Sequence, residues 1–240
     1  MEEKGAENGV AAMAACYQGF DPAAYLQTNY TSPQASADCQ KTVTICHASR
    51  SSDVSGELLV DIGSGPTLYQ VMSGCEVFNK VLLTDFLEVN RQELRSWLQD
   101  EGGCSLDWTP YLQHVPIEVH RPQPLALDVL PAAGADCLVS CYCLESVSPD
   151  LAAFTRALGH IGRLLRPRGH LLLIGALGMS YYFGGPGVKI PTVPVNEAQV
   201  CASLKESGYT LIRLEVYTVP QDIKLFDDAS AVFFVKAMKE

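Results

Sequence analysis

No cluster of Lys and Arg stands anywhere in the chain; the nearest approach is the scattered trio Arg163, Arg166 and Arg168. With 17 Lys+Arg against 27 Asp+Glu, the formal net charge is −10. Nucleic-acid affinity comes largely from neutralising phosphates, so this balance argues against a nucleic-acid partner. Long apolar runs are also missing. Runs such as Leu171–Ile174 and Ala231–Val235 are strand-sized, whereas crossing a bilayer takes roughly 20 residues. The opening residues Met1-Glu2-Glu3-Lys4-Gly5 are acidic and polar, where a secretory signal needs positive charge followed by an apolar stretch. A cytoplasmic protein with no membrane association is expected. The nine cysteines include no Cys-x-x-Cys, and the five histidines show no ligand spacing. Neither a disulfide framework nor a metal site is signalled. Cys141 and Cys143 read as two thiols on one face of a strand.

What is present is core material: 48% hydrophobic residues with only 18% charged, which suits a globular domain. No repeat, low-complexity tract or internal linker divides it. One domain over residues 13–240 is predicted, monomeric, behind a disordered tail over 1–12. Residues 13–50 read as a helical lid, in which Asp21-Pro22 opens a helix toward Tyr30 and a second helix covers about Cys39 to Ser49. Strands then alternate with helices. The strands are Leu58–Ile62, Val81–Thr84, Ile117–His120, Cys137–Cys141, His170–Ile174, Thr210–Tyr217 and Ala231–Lys236. The helices are a short one holding Tyr69, Val71 and Met72, then Asn90–Leu98, a long one capped by Ser148-Pro149, and Asn196–Glu206. Pro167-Arg168-Gly169 reads as the turn into the fifth strand. Near-continuous apolar strands separated by helices predict an α/β, doubly wound, mostly parallel seven-stranded sheet with an N-terminal helical cover. In such sheets the ligand lies beyond the carboxyl ends of the strands.

The first strand ends in Asp61-Ile62-Gly63-Ser64-Gly65-Pro66-Thr67, and the second ends at Asp85. A glycine-rich turn with an acid about 20 residues on is a dinucleotide signature, but position 68 is Leu where a third glycine would stand. Asp61 also puts a carboxylate beside the turn, which repels phosphate and attracts a cation. A sulfonium such as S-adenosylmethionine fits better, with Asp85 accepting from the ribose hydroxyls.

Four stretches, Tyr17–Leu26, Asp61–Gln70, Thr84–Leu94 and Cys143–Leu151, resemble the small-molecule methyltransferase family that contains the nicotinamide, indolethylamine and phenylethanolamine N-methyltransferases and the thioether S-methyltransferase. The resemblance spans nearly the whole chain from Tyr17. Asp85–Asn90, Gln123–Leu125 and Gly169–Leu177 are most similar to its phenylethanolamine branch. It implies the Rossmann-like class I methyltransferase fold and S-adenosylmethionine as cofactor. It assigns cofactor contacts to Tyr25, Tyr30, Gly63, Ser64, Gly65, Thr67, Tyr69, Asp85, Phe86, Asn90, Glu118, Val119 and Cys141. Tyr25 and Tyr30 would cover the cofactor, Glu118 would accept from the adenine amino group, and Phe86 would lie against the ring.

For the acceptor it points to Tyr17, Lys41, Tyr142, Glu145, Met179, Tyr182 and Asp227, with Glu145 and Asp227 as the catalytic carboxylates. The implied reaction is direct in-line methyl transfer to a small aromatic ethanolamine, noradrenaline being the first choice. Another arylalkylamine, nicotinamide, or a cofactor-binding homologue without activity are the alternatives. Met179 stands where the phenylethanolamine branch carries a substrate-binding glutamate, so a change in amine recognition is expected. The chain is also short between Tyr30 and Lys41 and between His114 and Ile117. Asp61, Asp85, Glu118, Glu145 and Asp227 are expected to turn part of the acidity toward the ligands.

Overall fold

The computed structural model describes residues 9, 11–31, 54–72, 74–99, 105–106, 108, 133–218 and 228–240. Helical turns begin by residue 11, inside the span expected as tail. Helix α1 (Pro22–Tyr30) starts where the sequence places it: the Asp21 side chain accepts from Ala24 N and Pro22 occupies the first turn, where its missing N–H costs nothing. The helix predicted over Cys39–Ser49, and with it the rest of the lid, lies outside the described residues.

Among the described residues, six strands form the main sheet. They are β1 (Gly56–Ile62), β2 (Phe78–Thr84), β3 (Ala135–Cys141), β4 (Leu165–Leu177), β7 (Tyr209–Thr218) and β8 (Ala231–Lys239), in the order β2-β1-β3-β4-β8-β7. β1 to β4 pair in parallel, and β8 runs antiparallel to both β4 and β7. The strand expected at Ile117–His120 lies outside the described residues. The central strands read as apolar runs because both faces are covered. Helix α4 (Leu151–Gly162) and helix α5 (Glu197–Glu206) bury Phe154, Leu158, Val200 and Leu204 against one face, together with Phe233 of β8. On the other face α1 and helix α2 (Glu88–Gln99) gather Leu26, Leu68, Tyr69, Leu94 and Trp108. Each fully buried Leu or Phe contributes about 1.5–3 kcal/mol.

Four local expectations are corrected. Residues 65–72 form turns leading into a 3-10 helix at Gly74–Glu76, because the chain there is engaged in side-chain-to-backbone bonds that compete with helix. Helix α4 is capped by Asp150, whose carboxylate accepts from Ala153 N at 2.7 Å, and not by Ser148-Pro149. The turn expected at Pro167–Gly169 is absorbed into β4, which begins at Leu165 and carries Arg168 at φ 61, with a register shift against β3. The loop after β4 holds an unforeseen hairpin of β5 (Tyr181–Phe183) and β6 (Lys189–Pro191), which the Asp21 N–H contacts by donating to Gly184 O at 3.0 Å. No helix of the described residues is long and apolar enough to cross a membrane.

Candidate functional site

The sheet order turns back at β1, which has β2 on one side and β3 on the other. Chain leaving the carboxyl ends there diverges and opens a crevice. A cavity of about 650 Å³ occupies it, within the size range of small-molecule sites. Its floor is the turn after β1, where Gly63 (φ 70) and Gly65 (φ 58) both adopt the left-handed conformation. A Cβ on Gly63 would stand 2.2 Å from Cys143 Sγ, while one on Gly65 would meet nothing within 4 Å. The first glycine lets two loops close on each other; the second leaves room for a ligand against the backbone. Gly63→Ala therefore carries both a clash and left-handed strain, and a loss of about 2–4 kcal/mol is expected. A thermal melt unchanged from wild type would contradict it.

Asp85 follows β2 and organises the wall. Its Oδ2 accepts from Gly65 N at 2.8 Å, and its Oδ1 accepts from Leu87 N at 2.8 Å and Asn90 Nδ2 at 3.1 Å. Asn90 Oδ1 is buried with no hydrogen-bond partner among the described residues. Phe86 is 77% exposed at the rim. An acceptor carboxylate, an unmatched amide oxygen, an open glycine turn and an uncovered aromatic ring suit the ribose, polar groups and base of S-adenosylmethionine.

Every described residue expected to bind the cofactor lines this cavity: Tyr25, Tyr30, Gly63, Ser64, Gly65, Thr67, Tyr69, Asp85, Phe86, Asn90 and Cys141. Thr67 points its hydroxyl back into the turn, donating to Ser64 O at 2.9 Å. Tyr30 and Tyr69 stack in a cluster with Trp108, their ring centroids 5.8 Å apart. Tyr25 continues this cover toward Phe20 at 5.3 Å and Tyr182 at 6.4 Å. Of the acceptor residues, Tyr17, Tyr142, Met179 and Tyr182 also line the cavity. Tyr182 OH donates to Tyr17 OH at 3.3 Å, which donates to Ser146 O at 2.9 Å. Burial pushes both phenols up, so they stay protonated. Lys41, Glu118, Val119 and Asp227 lie outside the described residues.

Two carboxylates depart from expectation. Asp61 was expected to face a cation from beside the turn; it is fully buried beneath it, with Oδ2 accepting from Gln70 Nε2 at 2.8 Å. Burial raises its pKa to about 7, with the hydrogen bond from Gln70 opposing. Asp85 is the carboxylate that faces the cavity. Glu145 sits in the first turn of helix α3 (Leu144–Val147) with 0% exposure, behind the wall formed by its neighbours Cys143 and Ser146. Its Oε1 accepts from Ala176 N at 3.1 Å, and Oε2 has no hydrogen-bond partner among the described residues. Burial raises its pKa to about 7, the Ala176 N–H opposing. The reason is Tyr142, left-handed at φ 53, which ends β3 and swings Cys143 toward Gly63. Cys141 and Cys143 are therefore not two positions on one strand face.

Phe20 and Gln70 matter to this site without having been singled out, although both lie within the stretches that carry the resemblance, and Cys143 was read only as a strand thiol; Trp108 gives no signal in the sequence at all. Among the described residues no group of His, Cys, Asp and Glu is arranged to hold a metal ion.

Comparison with known proteins agrees with this geometry. The model of the NNMT/PNMT/TEMT family matches residues 8–117 and 115–240. The chain is 44% identical to phenylethanolamine N-methyltransferase of Homo sapiens over 264 aligned positions, covering 96% of this chain and 93% of that protein. The enzyme of Sus scrofa is 43% identical, covering 97% and 93%. Nicotinamide N-methyltransferase of Homo sapiens is 37% identical over 188 positions, covering 68% and 70%. Alignments longer than the 240-residue chain mean that the relatives carry segments this chain lacks. Among solved structures, magnesium protoporphyrin IX methyltransferase from Synechocystis with bound SAM has a TM-score of 0.58 at 14% identity, covering 97% of each chain. The N-methyltransferase NodS from Bradyrhizobium japonicum, in complex with S-adenosyl-L-homocysteine, has a TM-score of 0.53 at 12% identity, covering 97% of this chain and 98% of that one. These two share the fold. Taken with the glycine turn, Asp85 and the aromatic cover, the match over nearly the whole length makes the chain a member of the NNMT/PNMT/TEMT family and an S-adenosylmethionine-dependent methyltransferase.

Proposed function

We propose that the protein methylates the amine nitrogen of a small aromatic ethanolamine, converting noradrenaline to adrenaline, and so serves catecholamine biosynthesis. The observation that carries this reading is one cavity joining the Gly63–Thr67 and Asp85 half to an aromatic half walled by Tyr17, Phe20 and Tyr182. It occurs in a chain 44% identical to a phenylethanolamine N-methyltransferase. S-adenosylmethionine, when bound, supplies a methyl group on an electrophilic sulfonium. The glycine turn, Asp85 and Asn90 hold it; in the same reading Glu118 and Val119 complete the adenine end. Tyr25 and Tyr30 close over it and exclude water. Tyr17 and Tyr182 hold the acceptor's aromatic body and offer neutral hydroxyls to its polar groups. Lys41, Tyr142 and Met179 shape the remaining wall. Holding the reacting atoms in line can supply roughly 7–11 kcal/mol of the barrier.

A free aliphatic amine, with a pKa near 10, arrives protonated and has no lone pair to attack with. Glu145 takes that proton through bridging water, since it stands behind the wall rather than on it, and Asp227 holds the ammonium or the β-hydroxyl. Cys16, Cys75, Cys137, Cys143 and Cys201 carry free thiols, which fits a reducing, cytosolic setting, and the domain acts as a monomer in this reading. The test is incubation with methyl-labelled S-adenosylmethionine and noradrenaline, octopamine, tryptamine or nicotinamide, with products identified by mass. A one-methyl gain on noradrenaline and octopamine is expected; labelling of nicotinamide alone would reject the amine assignment. A heteroaromatic acceptor is the second reading, because Met179 and not a carboxylate stands on the acceptor wall.

A further inference from the structure

Gln70 has no part in the chemistry above, yet it is 5% exposed and every hydrogen bond of its amide goes into the cofactor turn. Nε2 donates to Asp61 Oδ2 at 2.8 Å, and to Ser64 O and Thr67 O at 3.1 Å each. Oε1 accepts from Thr67 Oγ1 at 3.1 Å. The Ser64 carbonyl is thus held from below by Gln70 and by Thr67 Oγ1. In a trans peptide the C=O and N–H point in opposite directions. The N–H of that same peptide belongs to Gly65, and it donates to Asp85 Oδ2 at 2.8 Å. Gln70 and Asp85 grip one peptide plane from opposite edges.

We propose that Gln70 is a positioning residue for the methyl donor: it clamps the Ser64–Gly65 peptide from behind, so that the Gly65 N–H holds the Asp85 carboxylate at the cavity wall. Gly65 has no side chain to resist rotation, and at φ 58 its plane needs an external hold. The clamp supplies it. Gln70 touches neither the donor nor the acceptor, because it is not on the cavity wall. Its effect therefore falls on donor binding, while the methyl transfer step at saturating donor is spared.

The experiment compares Gln70→Leu and Gln70→Glu with wild type in the full chain. S-adenosylhomocysteine binding is titrated calorimetrically between pH 6 and 8, and kcat and KM for S-adenosylmethionine are measured beside thermal melts. For Gln70→Leu, an increase of about tenfold or more in Kd and KM is expected, with kcat within about threefold of wild type. Gln70→Glu keeps the length and the acceptor for Thr67, but only its protonated carboxyl can donate to Asp61. The titratable groups around that carboxyl are Asp61 beneath the turn, with Asp85 and Cys143 within electrostatic reach of Asp61. The single O–H of Gln70→Glu, present only in the protonated form, can hold the Ser64 carbonyl only in part, so its binding should lie between Gln70→Leu and wild type at pH 6 and fall progressively toward pH 8, beyond any pH trend in wild type. Should Gln70→Leu fail to fold, that pH trend decides alone. Equal losses in both variants at every pH, or a fall in kcat with Kd unchanged, would overturn the clamp.

Discussion

Asp85→Ala is expected to raise the Kd for S-adenosylhomocysteine at least about a hundredfold and to lower the stability of the ligand-free protein by about 2–4 kcal/mol. The two effects have separate sources. Stability falls because three donors, Gly65 N, Leu87 N and Asn90 Nδ2, lose one acceptor. Hydrogen bonds to a charged group are worth about 1.5–3 kcal/mol each, and partial access to water recovers part of that. Affinity falls further because the same carboxylate is the proposed acceptor for the ribose hydroxyls. Losing two charge-assisted bonds corresponds to about two orders of magnitude or more in Kd. Asp85→Asn separates the terms. It keeps an acceptor oxygen on one side, so most of the stability should return while binding stays weak. Calorimetry and thermal melts on both variants check this, and an alanine variant binding within tenfold of wild type would remove Asp85 from the cofactor site.

The positions of Asp85, Gly63 and Gly65 were legible because they depend on one rule: residues just past parallel strands border the crevice, and glycine is needed where backbone must turn left-handed or admit a ligand. Met179, Tyr182 and Cys141 were supplied by the family resemblance, and they line the same cavity. The orientation of Glu145 was not legible. It stands four residues past Cys141, and which of the intervening side chains meets the cavity depends on the backbone at Tyr142. A tyrosine at φ 53 is not announced by its sequence neighbours. Asp61 was misjudged for a related reason: adjacency to the turn in sequence said nothing of which side of it the carboxylate would occupy, and Gln70 holds it below. The missed hairpin and the 3-10 turn share a cause. Both are built from three-residue elements, too short to carry a hydrophobic period. The clearest sequence signals were the long apolar stripe of α4 and the strands buried on both faces.

Glu145→Gln should reduce turnover about a hundredfold or more and, at alkaline pH, make the protein more stable than wild type. The sign follows from the raised pKa. In the fold Glu145 titrates near 7 against an ordinary 4.5, chiefly through burial, and Asp61 near 7 against 3.8 for the same reason. A group whose folded pKa is raised adds stability that is complete below its unfolded value and lost as pH climbs through the folded one. For Glu145 the window runs from about 4.5 to 7, and the amount is roughly 3 kcal/mol at most. An amide at the same place has no charge to bury, keeps an acceptor for Ala176 N, and escapes that loss. The catalytic effect runs the opposite way with pH. A proton acceptor must be deprotonated, so wild-type kcat should rise through pH 7 and then level. The glutamine variant should lose that inflection along with the hundredfold of rate typical of general base catalysis. A purely structural carboxylate would change stability with pH and leave the rate profile alone. Melting curves at pH 5 and 8, set beside kcat profiles for both proteins, distinguish the two, and a variant keeping more than a tenth of wild-type kcat with its inflection intact would remove Glu145 from the proton transfer.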